Sequence, residues 1–263
     1  MKTYESEVST SNQLLGDELD QHVGLVQADE MDWDAYAEHY DEMCALNPAY
    51  QQNVGMLLER LHAWNLPEDC TVCDLGAGTG NYILRMTEAI PSARFWHLDF
   101  DNRMIELARR KYAEAGVQNV KIIQSNVHTI DFPENSFDVI VCVNALYAFR
   151  SQKEVLRKMY SWLKPTGRLF LIDFGRQQKT LDWTLYIFRE SVKSRRIGRY
   201  AKALVEGREL LKQNRRTTKG QQSGRYWLHT TEEFGEMLRS VGFKVEEISR
   251  CYRDYADFAI CAK

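Results

Sequence analysis

The chain has 263 residues, 44% hydrophobic and 27% charged, with a formal net charge of −3. That composition excludes a fibrous, low-complexity or largely disordered chain and supplies apolar material for one principal domain with additions. The opening Met1-Lys2-Thr3-Tyr4-Glu5 carries no apolar leader, and no run of about 18 residues stays apolar enough to cross a bilayer, so a cytoplasmic protein without a membrane span is expected.

Residues 1–30 are polar and acidic without apolar periodicity and read as a flexible arm. Trp33, Tyr36, Ala37 and Tyr40 then recur at helical spacing, as do Val54, Leu57, Leu58 and Leu61 ahead of Pro67, so residues 31–66 read as a helical lid. From Thr71 to Phe174, short apolar runs alternate with helical patterns, the form of βα units on a parallel sheet. Strands are predicted at Thr71–Asp74, Arg94–Leu98, Val120–Gln124, Phe137–Val143 and Arg168–Phe174. Helices fall near Tyr82–Ala89, Arg103–Ala115 and Lys153–Leu163, the last stopped by the turn Lys164-Pro165-Thr166-Gly167.

Residues 67–175 thus form a core, followed by a helical insertion over 176–229. Within it Leu181, Leu185, Phe188 and Val192 make one stripe, and Ile197, Tyr200, Ala201, Leu204 and Leu211 another, with Gly198 near the change of phase. Residues 230–263 complete the core with the capping box Thr230-Thr231-Glu232-Glu233, a helix stopped at Gly242, and strands near Lys244–Ser249 and Asp257–Ala262. Charge is unevenly spread: residues 1–42 hold one base against twelve acids, and residues 176–225 hold fourteen bases against four acids. Such runs are commonly solvated faces; the alternatives are mutual attraction of the two segments or recruitment of an anionic substrate. Cys70 and Cys73 form a lone C-x-x-C without a second ligand pair, and Cys73 sits in an apolar run, so a buried thiol is expected there and no metal.

The strongest chemical signal is Asp74-Leu75-Gly76-Ala77-Gly78-Thr79-Gly80 between a strand and a helix. Glycines there let the backbone turn sharply against a ligand at the carboxyl end of a parallel strand. The third glycine comes one residue earlier than in the dinucleotide fingerprint G-x-G-x-x-G. Asp99 closes the second strand, where a carboxylate can accept from both hydroxyls of an adenosine ribose.

These motifs resemble those of the class I S-adenosylmethionine-dependent methyltransferases. Gly76, Gly78 and Gly80 match the first motif, and Asp99-Phe100-Asp101 with Met104 and Ala108 the second. Ser125-Asn126-Val127 falls at the adenine position, Phe132 to Asp138 at the approach to the fourth strand, and Leu163 to Gly167 at the turn into the fifth. The resemblance covers residues 70–175 and 230–263. It implies a seven-stranded, mostly parallel α/β sheet of order 3-2-1-4-5-7-6 with helices on both faces and strand seven antiparallel. It also implies S-adenosyl-L-methionine as cofactor and S-adenosyl-L-homocysteine as product. The cofactor contacts it implies are Tyr40, Asp74, Gly76, Ala77, Gly78, Gly80, Asp99, Phe100, Asn126, Val127 and Asn144, with Asn126 standing where many relatives carry Asp.

For the acceptor, the sequence offers Tyr36, His39, Tyr40, Tyr147, Phe149, Asp173, Trp227 and His229 as pocket residues. Should the acceptor need deprotonation, His229 is the first choice of base and His39 the second, with Tyr147 also placed at the chemistry. Asn144-Ala145-Leu146-Tyr147 lacks both prolines of the Asn/Asp-Pro-Pro-Tyr/Phe motif of enzymes that methylate nucleic-acid amines, which lowers the nucleic-acid reading. The leading expectation is methyl transfer to an O, N or C nucleophile of a small molecule, an anionic one if the basic segment recruits it. A protein or RNA methyltransferase and a non-catalytic S-adenosylmethionine-binding protein are the alternatives, and the chain is expected as a monomer or homodimer.

Overall fold

A computed structural model describes residues 33–195, 198 and 208–263, with side chains over 40–195 and 215–263. The acidic arm and the stripe from Ile197 to Leu204 lie outside the described residues, as do the side chains of Trp33, Tyr36, Ala37, His39 and Leu211.

Among the described residues two helices come first, α1 (Trp33–Leu46) and α2 (Pro48–Ala63). They are separate because Asn47 leaves the helical region and caps α2, its Oδ1 accepting the Ala49 N–H at 3.1 Å, while Pro48 occupies the first turn where no N–H is needed. Then follow β1 (Thr71–Leu75), α3 (Asn81–Ala89), β2 (Arg94–Asp99), α4 (Asn102–Glu114), β3 (Val120–Gln124) and β4 (Phe137–Val143). A 3-10 turn (Leu146–Ala148), α5 (Gln152–Trp162), β5 (Leu163–Phe174), α6 (Thr180–Lys193) and α7 (Arg208–Gln222) lead to α8 (Thr231–Val241), β6 (Lys244–Cys251) and β7 (Ala256–Ala262).

The strands form one sheet of order β3-β2-β1-β4-β5-β7-β6, parallel except that β7 runs antiparallel to β5 and β6. Successive residues of a strand point to opposite faces, and here both faces are covered. Val139, Val141, Phe170 and Ile172 pack with Leu57, Ile83 and Met86 of α2 and α3, whereas Ile140, Cys142, Leu169 and Leu171 pack with Leu156, Met159 and Leu238 of α5 and α8. Double-sided burial explains why these strands read as continuous apolar runs.

One boundary differs from the sequence reading. Lys164 to Gly167, expected as a turn before the fifth strand, lies inside β5, where pairing with β4 jumps from Phe137↔Leu163 to Val139↔Arg168. The extra residues loop out and fold back, a Cβ on Gly167 standing 2.9 Å from the Lys164 carbonyl, so the expected turn is formed while Leu163 ahead of it stays paired and fully buried. The capping box is formed as expected: Thr230 and Glu233 satisfy each other's backbone N–H groups, and α8 ends at left-handed Gly242. Because β2 and β4 flank β1 on opposite sides, the chain order reverses there and a crevice opens at the carboxyl ends of β1 and β4, the place where open α/β sheets bind ligands. Among the described residues no helix is long and apolar enough to cross a membrane.

Candidate active site at the carboxyl edge of the sheet

The loop after β1 is built from three left-handed glycines, Gly76 (φ 72°), Gly78 (φ 54°) and Gly80 (φ 77°). Backbone N–H groups of Gly76 and Ala77 both donate to the Leu98 carbonyl, at 2.8 and 3.1 Å, which folds the loop onto the end of β2. Two of the glycines are also required by space. A Cβ on Gly76 would stand 2.5 Å from the Ala145 Cβ, and one on Gly80 would collide with the Tyr112 hydroxyl. That hydroxyl is fixed by His97 Nδ1 at 2.8 Å. Burial holds His97 neutral, with its pKa pushed down to about 3.

Asp99 grips this loop. Its Oδ2 accepts the Gly78 N–H at 2.7 Å and its Oδ1 accepts the Asp101 N–H at 2.9 Å, so both oxygens are oriented by backbone. Burial raises its pKa, against the opposing pull of those N–H groups. Asp74, at the end of β1, is raised further, to about 8, by burial and then by the Asp99 charge. Its Oδ2 is buried without a hydrogen-bond partner among the described residues, an arrangement that costs free energy until a donor arrives. Asn144, ending β4, repeats the theme with a left-handed backbone (φ 54°) and a buried, unsatisfied Oδ1. Such strained or unsatisfied polar groups cluster at functional sites.

This donor and acceptor set fits S-adenosylmethionine. A carboxylate at Asp99 matches a ribose diol, and the orphaned Asp74 Oδ2 matches a cationic amine. The exposed Phe100 ring (55%) beside Asp99 provides an apolar face for a base. Asn126 lies exposed after β3 with Val127 buried beside it. The Asn126 amide oxygen already accepts the His128 N–H at 3.0 Å, so one lone pair and the amide N–H groups remain for a ligand.

On the other side of Asn144 lies a wall of aromatic rings. Tyr147 is buried edge-on against Phe174 (5.6 Å) and Tyr226 (5.3 Å), and its backbone N–H donates to Asp173 Oδ1 at 3.1 Å. Phe149 stands 3.7 Å from the position of a Gly76 Cβ, and the Trp227 N–H donates to the Tyr147 carbonyl at 3.0 Å. Tyr40 is half-buried on α1 against the core. His39 belongs to α1, but its side chain is outside the described residues.

His229, the first choice of base from sequence, lies in the loop ahead of α8, its backbone N–H donating to the Gly175 carbonyl just past β5. Its side chain is wholly buried, stacked on Phe234 (4.6 Å, 10°) and against Trp227 (4.3 Å). Nδ1 lies 3.3 Å from Asp257 Oδ2, and Nε2 lies 3.9 Å from Asp173 Oδ2. Burial favours the neutral ring, but the two carboxylates outweigh it and raise the pKa to about 9. When protonated the ring has no lone pair with which to take a proton, and burial in turn raises the pKa of Asp173, whose Oδ2, like His229 Nε2, has no hydrogen-bond partner among the described residues. Arg176 completes the network by gripping Asp257 at 2.8 and 2.9 Å, and Asp257 is held below the ordinary carboxylate range, its own burial outweighed by His229, Arg176 and Thr231.

A second polar cluster has no counterpart in the sequence reading. Asp41 of α1 accepts from Thr79 Oγ1 (2.6 Å), Asn81 Nδ2 (2.8 Å) and Lys111 Nζ (2.7 Å), and Lys111 also bonds Asn81. Helix α1 is thereby pinned to the end of the glycine loop and to α4. The partners lie 38, 40 and 70 residues from Asp41, so no local periodicity could have joined them.

Residues 66–240, more than half of the chain, match the family described as methyltransferase domain. The chain belongs to that family, and its sheet has the strand order expected of the class I S-adenosylmethionine-dependent methyltransferases. It is 32% identical over 138 residues to the demethylmenaquinone methyltransferase of Listeria monocytogenes, a match covering 49% of this chain and 58% of that protein. The chain thus spans a little over half the length of the curated relatives it matches. Among solved structures it is similar to a SAM-dependent methyltransferase from Aquifex aeolicus (TM-score 0.53, 17% identity, 77% of this chain and 87% of that one). It is similar also to the cyclase SpnF (TM-score 0.58, 13% identity, 81% of each chain). At those identities the likeness is one of fold alone, and the fold serves more than methyl transfer.

Proposed function

We propose that the chain transfers the methyl group of S-adenosylmethionine to a nucleophilic O, N or C atom of a small aromatic molecule. The observation that carries this reading is the pair of buried, unsatisfied side-chain oxygens on Asp74 and Asn144, at the carboxyl ends of β1 and β4, with the ring cluster of Tyr147, Phe174 and Tyr226 beginning three residues beyond Asn144. The relatives' name, demethylmenaquinone methyltransferase, points to an acceptor of the same class. When bound, S-adenosylmethionine supplies an activated methyl on a sulfonium, so positioning is the larger part of the protein's task. Asp99 holds the ribose, Asp74 and the glycine loop hold the amino-acid end, Phe100, Asn126 and Val127 hold the adenine, and Asn144 faces the junction of cofactor and acceptor. Tyr147 and Trp227 wall the acceptor, and no proton transfer is assigned to His229.

Around this core, residues 31–66 act as a lid latched by Asp41, and residues 176–229 as a cap over the acceptor. Residues 67–175 with 230–263 are the binding core. Breaking the latch with Asp41→Asn or Lys111→Met is expected to weaken cofactor affinity by about tenfold, roughly 1.4 kcal/mol, because the helix excludes water from the site. Calorimetry with S-adenosylhomocysteine on the folded variants reads this; unchanged affinity removes the lid. For the reaction, the full chain with S-adenosylmethionine should release S-adenosylhomocysteine with quinol or phenolic acceptors. Turnover only with protein or RNA, or with no acceptor in the panel, overturns the small-molecule reading.

A further inference from the structure

Helix α6 has two unlike faces. Trp183 packs inward on Tyr252 (4.8 Å) and Tyr255 (5.4 Å), and Ser191 is buried. Asp182 is clamped by Arg253 (2.8 Å) and Tyr255 (2.9 Å), which fixes the roll of the helix. That roll turns Leu181 (80% exposed), Leu185 (54%), Phe188 (44%) and Val192 (44%) outward. Spaced at i, i+4, i+7 and i+11, they form a single stripe. Apart from Phe100 beside the cofactor site, they are the large exposed hydrophobic residues among the described residues, so the apolar exposure is concentrated rather than scattered.

The surroundings of the stripe are basic. Lys179, Arg189 and Arg195 are exposed, while both acids of the helix are neutralised locally, Asp182 by Arg253 and Glu190 by Lys193 at 2.5 Å. The same sign extends through residues 176–225, with fourteen bases against four acids.

We propose that α6 is a membrane-surface helix whose residues Leu181, Leu185 and Val192 insert at the interface of an anionic lipid bilayer, with Lys179, Arg189 and Arg195 on the headgroups. A helix with an apolar face and a Lys/Arg-rich border lies in the plane of such an interface, held by buried apolar area and by attraction to anionic lipid. A second copy of the chain fits less well. A two-fold contact sets the same patch against itself, which would bring Lys179, Arg189 and Arg195 of both copies together. Helix α6 follows the carboxyl end of β5 in the chain. The inference does not depend on which molecule is methylated.

Co-sedimentation of the full chain with vesicles of phosphatidylcholine, with and without phosphatidylglycerol, tests it. Binding is expected to the anionic vesicles, to weaken with added salt, and to fall about a hundredfold in Leu181→Asp/Leu185→Asp. That is the loss of two partly buried leucines at ~1.4 kcal/mol each. Circular dichroism and S-adenosylhomocysteine affinity check that the double variant is folded. Undiminished vesicle binding by the double variant overturns the proposal, as does equal binding to neutral vesicles at every salt concentration. Absence of vesicle binding overturns it too. In that case sedimentation velocity assigns the stripe to a second copy if the double variant dissociates a dimer. If the chain is a monomer whose melting temperature falls in the variant, the stripe is assigned to contacts within the chain.

Discussion

Replacing Asp99 tests the cofactor site at the residue where loop and ligand meet. Each carboxylate oxygen accepts one backbone N–H, Gly78 at 2.7 Å and Asp101 at 2.9 Å, and keeps a further lone pair for a ribose hydroxyl. A charge-assisted hydrogen bond contributes about 1.5–3 kcal/mol. Asp99→Ala, which removes both contacts to the diol, should therefore weaken S-adenosylhomocysteine binding by at least about a hundredfold, roughly 2.8 kcal/mol. Asp99→Asn is not an innocent control, because its amide nitrogen must face one of two N–H donors. It should lose about tenfold or more in affinity and about 1–2 kcal/mol of stability as the loop loses one anchor. Titration calorimetry on each variant, with a thermal melt beside it, separates the two losses, and NAD should bind none of the proteins. Folded Asp99→Ala with wild-type affinity would refute the assignment of this carboxylate to the ribose.

Two further perturbations probe the scaffold. Gly80→Ala places a methyl group on the Tyr112 hydroxyl, which His97 holds in place, at a left-handed backbone. It should cost about 2–4 kcal/mol in denaturant unfolding, and a change under about 0.5 kcal/mol would show that the loop yields. His229 has a folded pKa of about 9 against 6.5 for the free group, so its stabilising charge is fully present below pH 6.5 and is lost as pH rises through about 9. The melting temperature should fall across that window, and the fall should be smaller in His229→Gln. That variant should itself be less stable by about 3 kcal/mol, because Asp173 and Asp257 lose a buried partner. An identical pH profile in both proteins would remove the imidazolium.

Much of the fold was legible because its signals are local. Strand and helix positions follow from apolar runs such as Phe137–Val143 and from caps such as Thr230 with Glu233, which depend on neighbours a few residues away. The glycine loop was legible for a related reason: left-handed backbone and close approach admit only one residue type, so the requirement is written in the residues themselves. What tertiary structure alone decided is where side chains distant in sequence meet. Nothing near His229 announces that Asp173 and Asp257, 56 residues before and 28 after, lie on either side of its ring. Nothing near Asp41 announces Lys111. The pairing of Leu163 with Phe137 ahead of the turn at Lys164–Gly167 belongs to the same class, since it is set by a neighbouring strand. Backbone conformation is set by sterics within a residue or two, so sequence records it. Charge state and access are set by whatever the fold packs alongside, and for His229 that means the carboxylates of β5 and β7 and the rings of Trp227 and Phe234.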